Sequence, residues 1–339
     1  MNKLKKASDL GPALSLLLLS PLLTEVLPGA TRFSSLFVLP IEIGVWGGGA
    51  LLIRYAVRRR QLGWINMLFL AFALSVAEEC IIQQTSLAPL VIRLKGETYA
   101  RVVGVNYVYL LWALIYETVF VVFLPISLVE FIFPGRRERG WISKGGFFVI
   151  IPLFLLASLL AWFSWTRIAR TKVFHLPVYN PPLPAVILSL LLIFVFIYMG
   201  LTAFRTHPVS AVPTPSPVQK APVPALLMIA GALWATFLYG IVLLAFGIMP
   251  DFPPIIALLA GILLSWIPLY FLPRWTSGQS WQNKHRFALI FGVATGAMLA
   301  GFIGFLDTTG PDLYFKIIVN VIAVVLLILL GFKADKISV

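Results

Sequence analysis

The chain has 339 residues, 60% of them apolar and 12% charged, with a net charge of +13. Soluble domains are about 45–50% apolar and about 25% charged. The composition therefore excludes a soluble enzyme, a disordered chain, a collagen and a disulfide scaffold. With a mean hydropathy of +0.96, it fits an integral membrane protein with little mass outside the bilayer. Such a basic balance also admits a nucleic-acid surface, and the placement of the charges decides between the two. The single cysteine, Cys80, excludes an intrachain disulfide and any cysteine-based zinc site. The three histidines, His175, His207 and His285, fall in loops or at helix edges and offer no H-E-x-x-H pair.

A span needs about 20 mostly apolar residues. In chain order, ten segments qualify: Leu10–Leu27, Leu36–Ile53, Trp64–Ile82, Tyr107–Phe133, Phe147–Trp165, Ala185–Phe204, Ala225–Met249, Ile255–Leu272, Phe287–Leu306 and Tyr314–Phe332. The expected fold is all-α, a polytopic transmembrane helix bundle. The first segment follows Lys3, Lys5 and Lys6 as a signal peptide would, but no A-x-A site follows and Glu25 sits in the cleavage region, which favours an uncleaved helix. In the second, Gly44 and Gly48, within a run of small residues, predict a close helix contact. The fourth is long enough to tilt. Between the sixth and seventh, residues 206–224 carry six prolines and read as an extended linker. They separate a six-helix region (1–205), which holds the membrane-embedded acids, from a four-helix region (225–339). No repeat relates the two. Gly292, Gly296, Ala300 and Gly304 recur at four-residue steps on the ninth segment and predict a packing face for another helix, in this chain or a partner. Trp46, Trp64, Trp112, Trp141, Trp165 and Trp275 fall mostly near span ends, as interfacial anchors do.

With ten spans and the N-terminus inside, 18 Lys and Arg fall in inner segments and 8 in outer ones, Lys316 among the latter. The positive-inside bias thus puts both termini on the cytoplasmic side of the membrane. The basic residues are spread over many short loops. They read as topology determinants and lipid head-group contacts, so no nucleic-acid partner is expected.

The 13 acids are more informative. Glu25, Glu42, Glu78, Glu79 and Glu117 lie within the first four spans, whereas Asp251, Asp307 and Asp312 sit at helix ends or in short loops of the last four. Acids inside a bilayer are costly and mark function by default. At about 1.5 Å of rise per residue, Glu78 and Glu79 stand roughly 22 Å above the inner end of their helix and Glu25 at a similar height. Glu42 lies about 9 Å and Glu117 about 15 Å below the outer surface. An outer-half acidic site follows. Its carboxylates must be protonated, hydrated or bound to a cation, since no base lies at that depth in those helices. Ser75, Glu79 and Gln83 share a helical face at i, i+4, i+8 spacing. The adjacent pair Glu78-Glu79 could divide acid and base roles. The plainer alternatives are that the pair reaches interfacial water and that Glu117, flanked by Ala113, Leu114, Phe120 and Val121, makes a structural hydrogen bond to Tyr109, Tyr116 or another helix. Cys80 reads as a small buried hydrophobe.

The run Ala77-Glu78-Glu79-Cys80-Ile81-Ile82-Gln83-Gln84 follows Gly48 to Arg54 and precedes Glu117-Thr118-Val119-Phe120 and Pro125 to Glu130. This pattern resembles a group of uncharacterised bacterial multi-pass membrane proteins. They are in turn reminiscent of the CPBP family, the CAAX-prenyl-protease and bacteriocin-processing intramembrane proteases. That family carries E-E-x-x-x-R at a helix end, a histidine on a second helix 35–40 residues later, and a further His or Asn. The resemblance covers about a quarter of the chain and implies Glu79 as general base, Glu78 as its partner and Gln83 as a polar aid. It departs where Gln83 replaces the arginine and where Glu117 stands near the histidine position. No histidine lies inside a predicted span, and Asn320 is the late buried Asn. The pair also falls on the outer side, whereas CAAX-type substrates are cytoplasmic.

The expected function is therefore binding or transport of a cation or small solute by Glu25, Glu42, Glu79 and Glu117. The alternatives are a degenerate CPBP-like glutamate protease and a non-enzymatic scaffold or accessory subunit. No cofactor is implied. Partners are membrane lipids, such a ligand, and any helix packed on the Gly292–Gly304 face.

Overall fold

The computed structural model describes residues 10–89, 100–203, 220–243, 252–278 and 280–332. Residues 206–219 of the expected linker, and with them His207, lie outside this set, as do Asp251 and both terminal basic clusters. Ten helical runs are present among the described residues: α1 Leu10–Val26, α2 Phe33–Arg59, α3 Trp64–Ile82, α4 Tyr107–Ile132, α5 Lys144–Val173, α6 Leu183–Thr202, α7 Pro224–Leu243, α8 Pro254–Thr276, α9 Asn283–Phe305 and α10 Pro311–Gly331. Nine are long and apolar enough to cross a membrane; α1 is shorter. A two-stranded hairpin, β1 Arg101–Val102 against β2 Val105–Asn106, leads into α4. Side chains close several starts. Asn106 accepts the Tyr109 amide at 2.9 Å to cap α4, and Ser143 accepts the Gly146 amide at 3.1 Å to cap α5.

Loop contacts sort the bundle into two ends. At one, Arg32 after α1 donates to the Gly304 carbonyl at 3.0 Å, and Ser34 binds Asp312 of α10 through its amide and hydroxyl at 2.9 and 3.0 Å. Arg170 of α5 reaches the Pro89 carbonyl after α3 at 2.9 Å. At the other end, both oxygens of Glu130 on α4 face arginines. Arg58 of α2 and Arg286 of α9 stand at 2.9 Å, Arg54 at 3.4 Å and Arg137 at 3.8 Å. Arg54 is buried, with its guanidinium 3.2 Å from the centre of the Trp141 ring. Glu130 falls in the fourth predicted span yet was not among the expected membrane acids. Its role is to hold three helices together at the basic end.

The centre of the bundle is α4, the most buried helix, packed against α1, α2 and α3 on one side and α7, α8 and α9 on the other; α5, α6, α8 and α10 expose apolar side chains outward. One core joins α1 to α5, and a second joins α1 and α4 to α7, α9 and α10. The predicted small-residue faces are helix contacts in part: a Cβ on Gly44 would stand 2.3 Å from Ala157 of α5, whereas Gly304, at the end of the other face, meets open space. A Cβ on Gly292 or Gly296 would stand 2.0 Å from the Met228 carbonyl oxygen or 2.3 Å from that of Ala232, both on α7. A Cβ on Gly47 would stand 2.2 Å from the Leu17 carbonyl oxygen of α1. Trp46 and Trp141 are core side chains, not interfacial anchors, whereas Trp64 is exposed.

The first five helices are not regular. Each contains a π-helical segment: Leu22–Val26, Ile43–Gly47, Glu78–Ile82, Thr118–Phe123 and Ser164–Val173. Apolar periodicity in the sequence does not reveal them. The π segments escape it because they leave the apolar pattern intact while widening the turn.

Candidate functional site: a buried carboxylate group

In the four inner helices the π segment lies beside an acid. Glu25 is inside that of α1 and Glu42 immediately precedes that of α2. Glu78 and Glu79 open that of α3, and Glu117 immediately precedes that of α4. A π turn adds a residue to the helical repeat, which re-aims the side chains around it; such turns recur at functional sites. Its effect is visible on α3. The i, i+4, i+8 alignment does not carry through Glu78–Ile82, and Gln83 instead lines a small cavity of about 10 Å³ with Gln84, Thr85, Ala88, Trp165, Arg170 and others.

Three of the acids converge. Glu78, Glu79 and Glu117 each bring one carboxylate oxygen within 4.8 Å of the others, and all three are buried. Ser75, fully buried, faces Glu117 from α3. Glu79 accepts the Ser86 hydroxyl at 2.8 Å, and Thr85 also faces it. Glu78 Oε1, Glu117 Oε2 and Ser75 Oγ make no hydrogen bond among the described residues. Glu117 thus meets polar groups of another helix, α3, one of the alternatives open from sequence.

The remaining acids stand around this group in different ways. Glu42 takes the Thr31 hydroxyl on one oxygen and leaves Oε2 unpartnered. Glu25, half-buried, interacts electrostatically with Glu42 and Glu79. Tyr109 lies within the same range of Glu25, Glu78, Glu79 and Glu117. Aromatic contacts fix the walls. Tyr116 donates to the Thr24 carbonyl, Tyr239 of α7 donates to Tyr116 at 2.9 Å, and Trp112 stacks on Tyr116 at 4.7 Å. Cys80 is buried among Val76 and Leu87, as a small hydrophobe would be.

A buried base does occur near this end of the bundle. Lys316 of α10, counted with the outer segments from sequence, is 1% exposed. Its ammonium donates to the carbonyls of Leu27 and Met298 and lies 4.8 Å from the centre of the Phe302 ring. In the orientation that satisfies its amide, Asn320 accepts from Lys316 and donates to Leu27. No carboxylate pairs with Lys316 among the described residues, so it locks α1 to α9 and α10 and leaves the acids uncompensated.

Sequence reasoning missed Ser86, Thr31, Lys316 and Glu130. Ser86 and Thr31 lie beyond helix ends, where periodicity carries no information. For Glu130 a signal existed: an acid within an apolar run, in a chain whose nearby loops hold Arg54, Arg58, Arg136 and Arg137. Comparison with protein families, curated proteins and solved structures gives no match for this chain. What the molecule shows by itself is a polytopic helical bundle with a buried acidic group, the organisation of a multi-pass membrane protein.

Proposed function

We propose that Glu78, Glu79 and Glu117 form a cation-binding site within the membrane, supported by Ser75 and Ser86 and approached electrostatically by Glu25 and Glu42. The observation that carries this reading is the meeting of three buried carboxylates, two of them (Glu78 and Glu117) with an unpartnered oxygen, on two helices that both depart from α geometry at that level. Two bare carboxylates at 4.8 Å repel by about 3.5 kcal/mol at an effective dielectric of about 20. Three such pairs need protons or a cation to offset them. The donors are all oxygen, which suits Mg²⁺, Ca²⁺ or Mn²⁺ and protons better than zinc or copper. Binding serves transport if the site opens alternately to the two faces. On the positive-inside assignment it lies in the outer half of the bacterial cytoplasmic membrane.

The test is uptake into proteoliposomes with a reporter for each divalent cation and for protons. Glu79→Gln and Glu117→Gln should each abolish uptake. Uptake unchanged in both variants removes the proposal.

A second reading has a specific observation behind it. Glu117 holds the position that the CPBP resemblance gives to a histidine, and it does meet the Glu78-Glu79 pair. A glutamate hydrolase descended from that design would use Glu79 to activate water. Cleavage of membrane-peptide substrates that is lost in Glu79→Ala would favour this reading over transport.

A further inference from the structure

The first turn of α9 faces two ways. Arg286 reaches Glu130 at 2.9 Å, inside a group where the acids paired with Arg54, Arg58, Arg137 and Arg286 among the described residues are Glu130 and Glu138. Positive charge is therefore in surplus at this end of the bundle. Two residues earlier, Lys284 is exposed and forms no ion pair among the described residues. It lines the edge of a groove of about 390 Å³ between α7, α9 and α10, whose walls include Met228, Phe287, Phe291, Ile328 and Phe332. Phe287 also packs on Phe131 with ring centres 5.2 Å apart, which joins the groove wall to the helix that carries Glu130.

An apolar trough with exposed walls at Ile328 and Phe332, ending at an exposed lysine near surplus guanidinium charge, matches one kind of occupant. The trough takes a hydrocarbon chain and the basic edge takes a phosphate. Basic pockets between transmembrane helices bind anionic head groups in this way, and the groove volume lies within the range of small-ligand sites, about 300–1,000 Å³. We propose that this groove binds an anionic phospholipid, one acyl chain lying along Phe287 and Phe291 and the head-group phosphate on Lys284. The site lies at the basic end, opposite the carboxylate group, and does not depend on the function proposed there.

Native mass spectrometry of the full chain in mild detergent tests this, with phosphatidylglycerol and phosphatidylcholine of identical acyl chains. The wild type should retain phosphatidylglycerol in preference. Lys284→Gln should cut that retention about fivefold, the effect of one surface basic residue on an anionic lipid. Lys144→Gln, an exposed lysine elsewhere at the same end, should leave it unchanged. Ala288→Phe, which fills the groove, should lower retention of both lipids. Equal retention of the two lipids by the wild type overturns the proposal. So does an equal loss in Lys284→Gln and Lys144→Gln, or a dimer mass whose formation excludes lipid, which would make the groove an interface between copies. Should Ala288→Phe fail to fold, the lipid comparison and the two lysine variants still decide.

Discussion

Replacing Glu117 with Gln tests the acidic group most directly, because it removes one charge and keeps the shape. Glu117 takes part in two of the three carboxylate pairs, each within 4.8 Å. At an effective dielectric of about 20, each fully ionised pair costs about 3.5 kcal/mol at that separation, so with all three groups ionised the substitution lifts about 7 kcal/mol of repulsion. Protons taken up at the site reduce this figure in practice. Without added cation, Glu117→Gln should therefore melt at the wild-type temperature or above it. With cation the order reverses. A ligand at 100 times its dissociation constant stabilises the folded state by about 2.7 kcal/mol. At about 2–4 °C per kcal/mol, wild type should gain about 5–10 °C, and the variant, short of one of three ligands, should gain almost nothing at the same concentration. Intrinsic-fluorescence melting in detergent, with Mg²⁺, Ca²⁺ and Mn²⁺ titrated separately, reads both effects. The wild-type shift should grow with pH, because protons compete with the metal for the same oxygens. The reasoning is refuted if no cation shifts the wild type and Glu79→Gln and Glu117→Gln both melt well below it. In that case the carboxyl groups act as structural hydrogen-bond partners.

Other expectations concern the frame around the site. Glu130→Gln leaves Arg54, Arg58 and Arg286 facing a neutral group and should destabilise the bundle by about 3–5 kcal/mol, seen as a lower melting temperature that Arg54→Ala does not restore. Lys316→Met removes the ammonium from the Leu27 and Met298 carbonyls. It should cost about 1.5–3 kcal/mol per lost charged hydrogen bond, with proteolysis after α1 as the local readout. Gly296→Val places side-chain atoms where a Cβ already stands 2.3 Å from the Ala232 carbonyl oxygen. It should abolish the monodisperse peak in fluorescence-detected size exclusion, whereas Gly304→Val, at a position open to space, should not. Thr31→Val strips Glu42 of its hydroxyl donor and should cost about 1–3 kcal/mol while leaving cation-induced stabilisation in place. Loss of that stabilisation would show that Glu42 belongs to the site.

The amino-acid pattern alone determined the class, the ten helices and their approximate ends. Lipid demands apolar runs of fixed length, and that demand is written locally, residue by residue. It also determined which acids were worth attention, since Glu25, Glu42, Glu78, Glu79 and Glu117 stand out against apolar neighbours by composition alone. The close contacts at Gly44, Gly292 and Gly296 were legible as small-residue spacing, although not their partners, and the same spacing wrongly included Gly304. Only the tertiary structure decided that Glu117 meets Glu78 and Glu79 while Glu42 turns to Thr31. That choice depends on which helices are neighbours and on π segments that re-aim side chains without changing the hydrophobic period. The same holds for Lys316 and Glu130. A charge at the edge of an apolar run looks like a head-group contact in sequence. Whether it snorkels to the surface or is drawn inward depends on carbonyls and guanidinium groups supplied by segments up to 289 residues away.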